Sequence, residues 1–198
     1  MLRAVGLRAV IGEDLRQHRG GWLKPGFQAL LVHRLGVFSS VCRQPLRAAL
    51  LIINKVGFLL CRNVYGIELP RSVNIGRRLE LGHQHGIVIH THARIGDDCV
   101  IRQGVTFGAG IEWIEGQGPV IGDRVHFGVG TVVVGNVTIG DDVTIGPNCV
   151  ISRDVPANCT LFVPPPRMIP KQTPEPSASL GSDPESPDRM EPRNVVNA

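Results

Sequence analysis

Residues 137–151 read VTIGDDVTIGPNCVI, in which Ile139, Ile145 and Ile151 recur at a spacing of six. The same rhythm extends back to Ile75, and glycine directly follows most of its apolar residues. Its twelve positions are Ile75, Leu81, Ile89, Ile95, Ile101, Phe107, Ile121, Phe127, Val133, Ile139, Ile145 and Ile151. A period of six matches neither an α-helix nor one long strand. It is typical of a parallel β-helix, in which three hexads close one triangular coil, so the sequence predicts a mainly β fold of roughly four coils.

The rhythm breaks twice, and both breaks are candidates for the functional face. Leu81 and Ile89 are eight residues apart, and the break contains the sequence GHQHG at residues 82–86. The second break, at residues 108–119, is glycine-rich and carries one tryptophan. A stacked coil accepts insertions only where they loop outward, and such loops often carry function. We expect the second break to form a mobile external loop.

The repeats divide the chain into three predicted parts. Residues 1–66 read as an N-terminal helical segment of two or three helices, and residues 67–163 as the hexapeptide-repeat domain. The most apolar window of the N-terminal segment, residues 48–61, contains Asn54 and Lys55 and is too short to span a bilayer, so we expect a packed or interfacial helix. Residues 164–198 form a proline-rich tail, which we expect to be disordered, above all at 170–198, because it has little apolar surface to bury.

Charge and cysteine usage limit the partners and the compartment. Residues 1–66 hold ten Lys and Arg against two Asp and Glu, whereas the whole chain carries only +4. Either peripheral contact with an anionic membrane surface or an ordinary solvated basic face would explain this surplus. Aromatic residues make up only 5% and are not interleaved with basic ones, so no nucleic-acid partner is expected.

The cysteines and the start of the chain indicate the compartment. The chain has five cysteines without a CxxC pair, and its first residues are unlike a signal peptide, so we expect a reducing, cytoplasmic setting.

Four histidines lie within ten residues at the first break: His83, His85, His90 and His92. Zinc is the first hypothesis to test, but only Glu80 offers another ligand type nearby, and no tetrahedral spacing motif appears. We therefore expect no metal. His90 and His92, like the outward His126, read as exposed turn residues without function. The helical histidines His18 and His33 carry no pattern.

The segment GRRLELGHQHGIVI at residues 76–89 resembles the catalytic segment of serine O-acetyltransferases, and residues 95–106 continue the match. The likeness spans roughly residues 13–169 and is especially close to a short form that often accompanies polysaccharide synthesis. It implies a left-handed β-helix, a homotrimer, and direct transfer of acetyl from acetyl-CoA to the hydroxyl of L-serine.

The resemblance also implies roles for individual residues. His83 would be the general base, and Glu68 stands fifteen residues before it, where the family has an aspartate that orients the base. Backbone groups of five residues would hold the pantetheine arm of acetyl-CoA, and one cation would meet a CoA phosphate. These six are Gly128, Val129, Gly130, Gly146, Pro147 and Arg167.

One departure from the family concerns the acceptor. The family has a histidine before the proline that ends the external loop, and that histidine contacts serine, whereas this chain has Gly118 before Pro119. We therefore expect weak use of free L-serine, and a sugar or exopolysaccharide hydroxyl, accommodated by space beside Gly118, is the same-chemistry alternative. A non-catalytic hexapeptide scaffold is a further alternative, although it would need neither Glu68 nor His83. A zinc hydratase would need three converging histidines.

Overall fold

The computed structural model describes residues 6–110 and 114–169. Fourteen short strands form three parallel sheets, with orders β1-β4-β7-β10-β13, β11-β8-β5-β2 and β14-β12-β9-β6-β3, here called sheets A, B and C. The strands are β1 (Ile67–Glu68), β2 (Asn74–Ile75), β3 (Glu80–Gly82), β4 (Ile87–Ile89), β5 (Arg94–Ile95), β6 (Val100–Arg102), β7 (Thr106–Gly108), β8 (Val120–Ile121), β9 (His126–Phe127), β10 (Val132–Val134), β11 (Thr138–Ile139), β12 (Thr144–Ile145), β13 (Val150–Ile151) and β14 (Thr160–Leu161).

The predicted left-handed parallel β-helix is confirmed, with one correction to its length. Successive strands belong to sheets A, B and C in turn, and each coil contributes one strand to a sheet. Two of the sheets have five strands, so there are about five coils, one more than predicted. The extra coil comes from β1 and β14, which lie before and after the twelve rhythmic positions. Those twelve apolar side chains are all buried and stack in register, as in the pair Ile95 and Ile121. Phe107 and Phe127 pack edge to face with ring centroids 4.9 Å apart.

The corner between sheets B and C explains how each coil turns. One residue in each such corner has a left-handed backbone, with φ between 55° and 60°: Arg78, Asp98, Arg124, Asp142 and Asn158. The preceding residues form a ladder along the same corner. Asp97, Asp123 and Asp141 each accept a hydrogen bond at Oδ1 from a backbone N–H of the previous coil, at 2.7–2.8 Å. Side chains thereby add to the sheet hydrogen bonds that hold neighbouring coils together.

Three helices precede the coils: α1 (Leu7–Gln17), α2 (Pro25–Phe38) and α3 (Leu46–Tyr65), with a short 3₁₀ turn at Ser39–Val41. Helix α2 lies so close to the coils that a Cβ on Gly26 would be 2.1 Å from the carbonyl oxygen of Leu81. Arg34 of α2 is buried, and its guanidinium donates to Asp14 of α1 and to the carbonyls of Ile75 and Gly76. The helical segment is therefore docked onto the first coil by buried polar contacts.

The two helical histidines belong to this docking, which the sequence did not reveal. Nε2 of His33 is 3.0 Å from the carbonyl oxygen of Val73, and the ring is buried, which lowers the pKa of His33 to about 3. The backbone N–H of Leu81 donates to Nε2 of His18 at 3.2 Å. Nδ1 of His18 must then be the protonated nitrogen, and it donates to the carbonyl of Asp14 at 2.7 Å.

Helix α3 has two apolar faces. Its inner face packs on α2, where Nδ2 of Asn54 donates to the carbonyl of Val32 at 2.9 Å, in agreement with the predicted packed helix. The expectation that this segment is too short to span a bilayer is wrong, because the helix runs for 20 residues and, among the described residues, it alone has the length and apolar composition to cross one. Its outer face is exposed, with Ile52 at 64%, Val56 at 61% and Val64 at 61%.

The proline-rich tail lies almost wholly outside the described residues. The predicted disorder of 170–198 falls entirely there, as does the part of the external loop at 111–113. The chain divides into a compact unit that ends at Pro164 and a second unit that begins at Pro165. The described residues of the second unit, 165–169, are exposed.

Candidate active site

The first rhythm break forms a tight turn at the corner between sheets C and A. His83 and His85 both have left-handed backbones, with φ of 67° and 73°, and Gly86 follows with φ of 74°. Histidine adopts this conformation more readily than most residues with a Cβ. The turn holds His83 exposed at the surface, while Gly66, in the coil before, packs directly against His85. An exposed imidazole at a corner is free to meet a substrate.

His83 lies at the edge of a cleft of about 310 Å³ between the helical segment and the coils. One wall is the connection from α1 to α2, with His18, Arg19 and Lys24, and the other is formed by β3 and the His83 turn. The full lining is His18, Arg19, Lys24, Pro25, Gly26, Glu80, Leu81, Gly82, His83, Gln84 and Arg102. Of these residues the sequence pointed only to His83 as functional, because the wall formed by the α1–α2 connection lies some sixty residues earlier in the chain and carries no local motif.

Arg102 reaches this cleft from the next coil. It is the register partner of Gly82 in sheet C, and a Cβ on Gly82 would be 2.9 Å from its Nη1 atom. The guanidinium therefore lies over the backbone of Gly82, next to His83. No sequence signal pointed to Arg102, since its importance comes from the stacking of two coils.

Glu68 lies on the outer surface of sheet A, one coil before the His83 turn. It is half-buried, and its neighbours Ile67 and Leu69 are both buried, so its side chain points away from the interior. Its register partner is Val88. Within the part of the chain that the structure describes, Glu68 and His83 form no hydrogen bond. Their pairing as base and orienting carboxylate stays a prediction.

The residues predicted to hold acetyl-CoA share one edge of the β-helix with His83. Backbone hydrogen bonds run along this edge from Gly104 to His85, from Gly130 to Gln103 and from Asn148 to Val129, at 2.8–3.0 Å. The segments 128–130 and 146–147 thus lie two and three coils beyond the His83 turn, a span of up to ~14 Å at the usual strand spacing. Val129 is 39% exposed on this edge, and Pro147 is also exposed.

Two of the predicted cofactor residues need separate comment. A Cβ on Gly128 would be 2.7 Å from the backbone of Gly146 and Pro147, so the stacking of coils itself requires glycine at that position. Arg167 is exposed and belongs to the second unit of the chain. Its contact with a CoA phosphate stays a prediction.

Gly118 is crowded by two histidines in the direction that a side chain would take. A Cβ on Gly118 would be 2.9 Å from the carbonyl carbon of His92 and 3.0 Å from Nδ1 of His90, so a side chain at this position would press on the two histidines. A cavity of about 220 Å³ does adjoin Gly118, lined also by Gln117 and Asn136, and its use by a larger acceptor stays a prediction. His90 and His92 are half-buried, with ring centroids 5.5 Å apart, and burial lowers the pKa of His90. The prediction that they are exposed turn residues is therefore wrong, whereas His126 is exposed as predicted.

The four histidines of the first break do not converge. His83 and His85 lie at one end of β4, and His90 and His92 lie at the other, at the corner between sheets A and B. Four residues of extended chain between Gly86 and His90 correspond to ~13 Å. Among residues 6–110 and 114–169, no three His, Cys, Asp or Glu side chains are placed to share a metal ion.

Comparison with known proteins gives a consistent result. A profile of the family described as "Bacterial transferase hexapeptide (six repeats)" matches residues 118–153. The chain is 36% identical to a serine acetyltransferase of Helicobacter pylori over 158 residues, which cover 78% of this chain and 88% of the relative. It is 37% identical to a serine acetyltransferase of Synechococcus elongatus over 73% of this chain, but it spans only 57% of that relative.

Solved structures agree with the sequence relatives. Serine acetyltransferase isoform 3 of Entamoeba histolytica, in complex with cysteine, matches 84% of this chain and 62% of its own, with a TM-score of 0.70 at 26% identity. Soybean serine acetyltransferase complexed with serine matches 82% of this chain and 69% of its own, with a TM-score of 0.67 at 28% identity.

Proposed function

The chain belongs to the serine acetyltransferase family, and on this premise we propose that it is an O-acetyltransferase that transfers acetyl from acetyl-CoA directly to the hydroxyl of L-serine. The observation that carries the proposal is the similarity to the Helicobacter pylori enzyme, which extends over 88% of that relative. The relatives and solved neighbours described above are serine acetyltransferases, and they give no support to the sugar alternative. The exposed imidazole beside a cleft also argues against a purely structural scaffold.

His83 acts as the general base in this proposal. A serine hydroxyl is a poor nucleophile at neutral pH, and it needs a base within hydrogen-bond reach. The imidazole of His83 takes the hydroxyl proton while the oxygen attacks the thioester carbonyl. The tetrahedral intermediate then collapses to O-acetylserine, and the CoA sulfur leaves as a thiolate that takes up the proton from the imidazolium. No acyl-enzyme is needed.

Glu68 is proposed to orient this base. A carboxylate on the second ring nitrogen fixes the tautomer and stabilises the imidazolium that forms during transfer. Glu68 lies on the outer surface of sheet A, one coil before the turn, with its side chain half-buried. We expect the contact to form when the acceptor is bound, since catalytic hydrogen bonds often tighten only then.

Acetyl-CoA is proposed to lie along the edge that leads from His83 to Pro147. The edge offers exposed apolar surface at Val129 and Pro147 and backbone groups at Gly128, Gly130 and Gly146. An extended pantetheine arm along this edge would bring its thioester end towards the imidazole. Arg167 is proposed to meet a CoA phosphate, as a guanidinium suits phosphate geometry.

We propose a homotrimer, because the two rhythm breaks lie on different edges of one chain. The His83 turn and the Gly118 corner are separated by the width of sheet A, ~13 Å, so a molecule as small as serine cannot touch both. A site that uses both edges therefore needs the corner of a neighbouring copy.

Free thiols at all five cysteines and a substrate of central metabolism favour the cytoplasm.

The outer face of α3 is proposed to meet an anionic membrane surface. Between Asp14 and Glu68 the sequence has eight Lys and Arg and no acidic residue, so positive charge accompanies the exposed apolar stripe along its length. Lys55 and Arg62 flank the stripe on the helix. An apolar face with a cationic border is the pattern of helices that lie in the headgroup region of anionic bilayers.

The test of the proposed function is the release of CoA thiol from acetyl-CoA in the presence of L-serine. We expect His83→Ala to lower kcat by ~10²–10⁴-fold with the circular dichroism spectrum unchanged. His126→Ala, which removes an exposed imidazole from sheet C, is the matched control and should retain the wild-type rate. A near wild-type rate in His83→Ala would remove His83 as the base.

A further inference from the structure

The cleft beside His83 carries an excess of positive charge. Arg19, Lys24 and Arg102 line it together with a single carboxylate, that of Glu80. The three cations come from two distant parts of the chain: Arg19 and Lys24 lie in the connection between α1 and α2, and Arg102 is the last residue of β6. Their convergence is therefore a property of the folded chain and not of a local basic run.

These cations differ from the arginines that form ion pairs in the helices and at the coil corners. Arg34, Arg78 and Arg124 each donate to a carboxylate, at 2.9 Å, 2.5 Å and 2.7 Å. Among the described residues, neither Arg19, Lys24 nor Arg102 forms an ion pair, although the cleft contains Glu80. Three unpaired cations in one concave site raise the local potential and favour an anionic ligand.

Arg102 has the position to hold that anion. Its guanidinium lies over the backbone of Gly82, in the space that any other residue would fill with a side chain, and Gly82 directly precedes His83. A planar guanidinium binds a carboxylate through two parallel hydrogen bonds, which fixes orientation as well as position. A carboxylate held there leaves the rest of a small acceptor next to the imidazole.

We propose that Arg102 binds the carboxylate of the acceptor and thereby determines that the acceptor is a small hydroxy acid. The inference rests on the proposed function, because it takes His83 as the base. Lys24 and Arg19 strengthen the positive potential, and Glu80 faces the ammonium group of a 2-amino acid such as L-serine. The hydroxyl, two carbons from the carboxylate, then points to His83. The cleft thus supplies the contact to the carboxylate from the same chain that carries His83, whereas Gly118 supplies no side chain.

The experiment compares two acceptors that differ only in the carboxylate, L-serine and ethanolamine, on the full-length chain at saturating acetyl-CoA. Arg102→Gln is expected to raise the KM for L-serine by ~10- to 100-fold, the usual effect of losing a charged hydrogen bond, with kcat within a few-fold of wild type. Turnover of ethanolamine is expected to stay at its wild-type level, whatever that level is. Arg102→Lys should recover part of the KM, since it restores charge without the planar fork.

Arg94→Gln is the matched control. Arg94 is an exposed arginine on sheet B of the same coil as Arg102, and it lies outside the cleft lining. Its replacement removes the same charge, and the KM for L-serine should not change. A uniform loss of turnover for both acceptors in Arg102→Gln, or an unchanged KM for L-serine, would overturn the assignment.

Binding of L-serine measured by calorimetry separates this inference from the proposed function. If the wild type binds L-serine but transfers no acetyl group, and Arg102→Gln abolishes binding, the function fails and the role of Arg102 stands. If the wild type acetylates L-serine and Arg102→Gln binds it equally well, the function stands and the role of Arg102 fails. If the wild type neither binds nor acetylates L-serine, both fail.

Discussion

Replacement of Arg34 by methionine is expected to cause a large loss of stability, because Arg34 joins helices α1 and α2 to the first coil. The side chains of Arg34 and Asp14 are only 2% and 1% exposed. Nε of Arg34 donates to Asp14 at 2.9 Å, and Nη1 and Nη2 donate to the carbonyls of Ile75 and Gly76 at 3.1 Å and 2.7 Å. Arg34→Met leaves a buried carboxylate without its cation and two carbonyls without donors.

The expected magnitude is ~3–5 kcal/mol of unfolding free energy, the usual cost of removing one partner of a buried ion pair. For a chain of this size that corresponds to a fall in Tm of ~6–20 °C. Burial already raises the pKa of Asp14, and Arg34 opposes this rise. Without Arg34 the carboxyl is protonated more readily, so the loss should be smaller at pH 5 than at pH 7.5.

Chemical denaturation followed by circular dichroism measures this loss. Arg124→Met is the matched control, because Arg124 pairs with Asp142 on an exposed corner, and its denaturation midpoint should stay near that of the wild type. The double variant Asp14→Leu, Arg34→Met should recover more than half of the loss, since an apolar pair no longer leaves a buried charge. Equal midpoints for Arg34→Met and Arg124→Met would refute the reasoning.

Three further outcomes are expected. The pKa of His33 in the folded chain is about 3, below its ordinary 6.5, so only the unfolded chain takes up a proton at this histidine between pH 6.5 and pH 5. The unfolding free energy should therefore fall by ~2 kcal/mol from pH 7.5 to pH 5, and His33→Gln should remove this part of the pH dependence. Identical pH dependence of the unfolding free energy in both proteins would contradict the prediction. Gly118→His should lower kcat/KM for L-serine, since its Cβ would press on the His92 carbonyl carbon at 2.9 Å; a gain would show that the corner opens. Ile52→Lys with Val56→Lys should abolish co-sedimentation with phosphatidylglycerol vesicles, because both side chains belong to the exposed apolar face of α3. A change in oligomer mass with vesicle binding intact would instead assign this face to contact with another copy of the chain.

The sequence predicts the coils well because each hexad repeats the same local requirement. An apolar residue must enter the coil every six positions, so Ile95 and Ile121 can be assigned without knowledge of any distant contact. The position of His83 follows from the same rhythm, since the eight-residue break can only loop outward. The number of coils was underestimated because Ile67 and Leu161 fall outside the unbroken rhythm.

The cleft and the helix docking were not predictable by the same reasoning. His18 bonds Leu81 across 63 residues of sequence, and Arg34 reaches Ile75 across 41. Such contacts leave no period in the chain and depend on how α2 approaches the coils at Gly26. The same holds for His90, whose half-buried state comes from the return of the external loop to Gly118.

The edge proposed for acetyl-CoA and the outer wall of the cleft beside His83 come from different parts of the chain, and this has a consequence for redesign. The edge from His83 to Pro147 that we propose for acetyl-CoA is built from the repeats alone, whereas Arg19 and Lys24 of the cleft that we propose for the acceptor lie in a short connection outside them. Changes of length or charge in that connection would alter which hydroxyl compound is accepted without any alteration of the repeats. A set of chains that share one β-helix but carry different α1–α2 connections would therefore form a library of acceptor specificities around a constant acetyl donor.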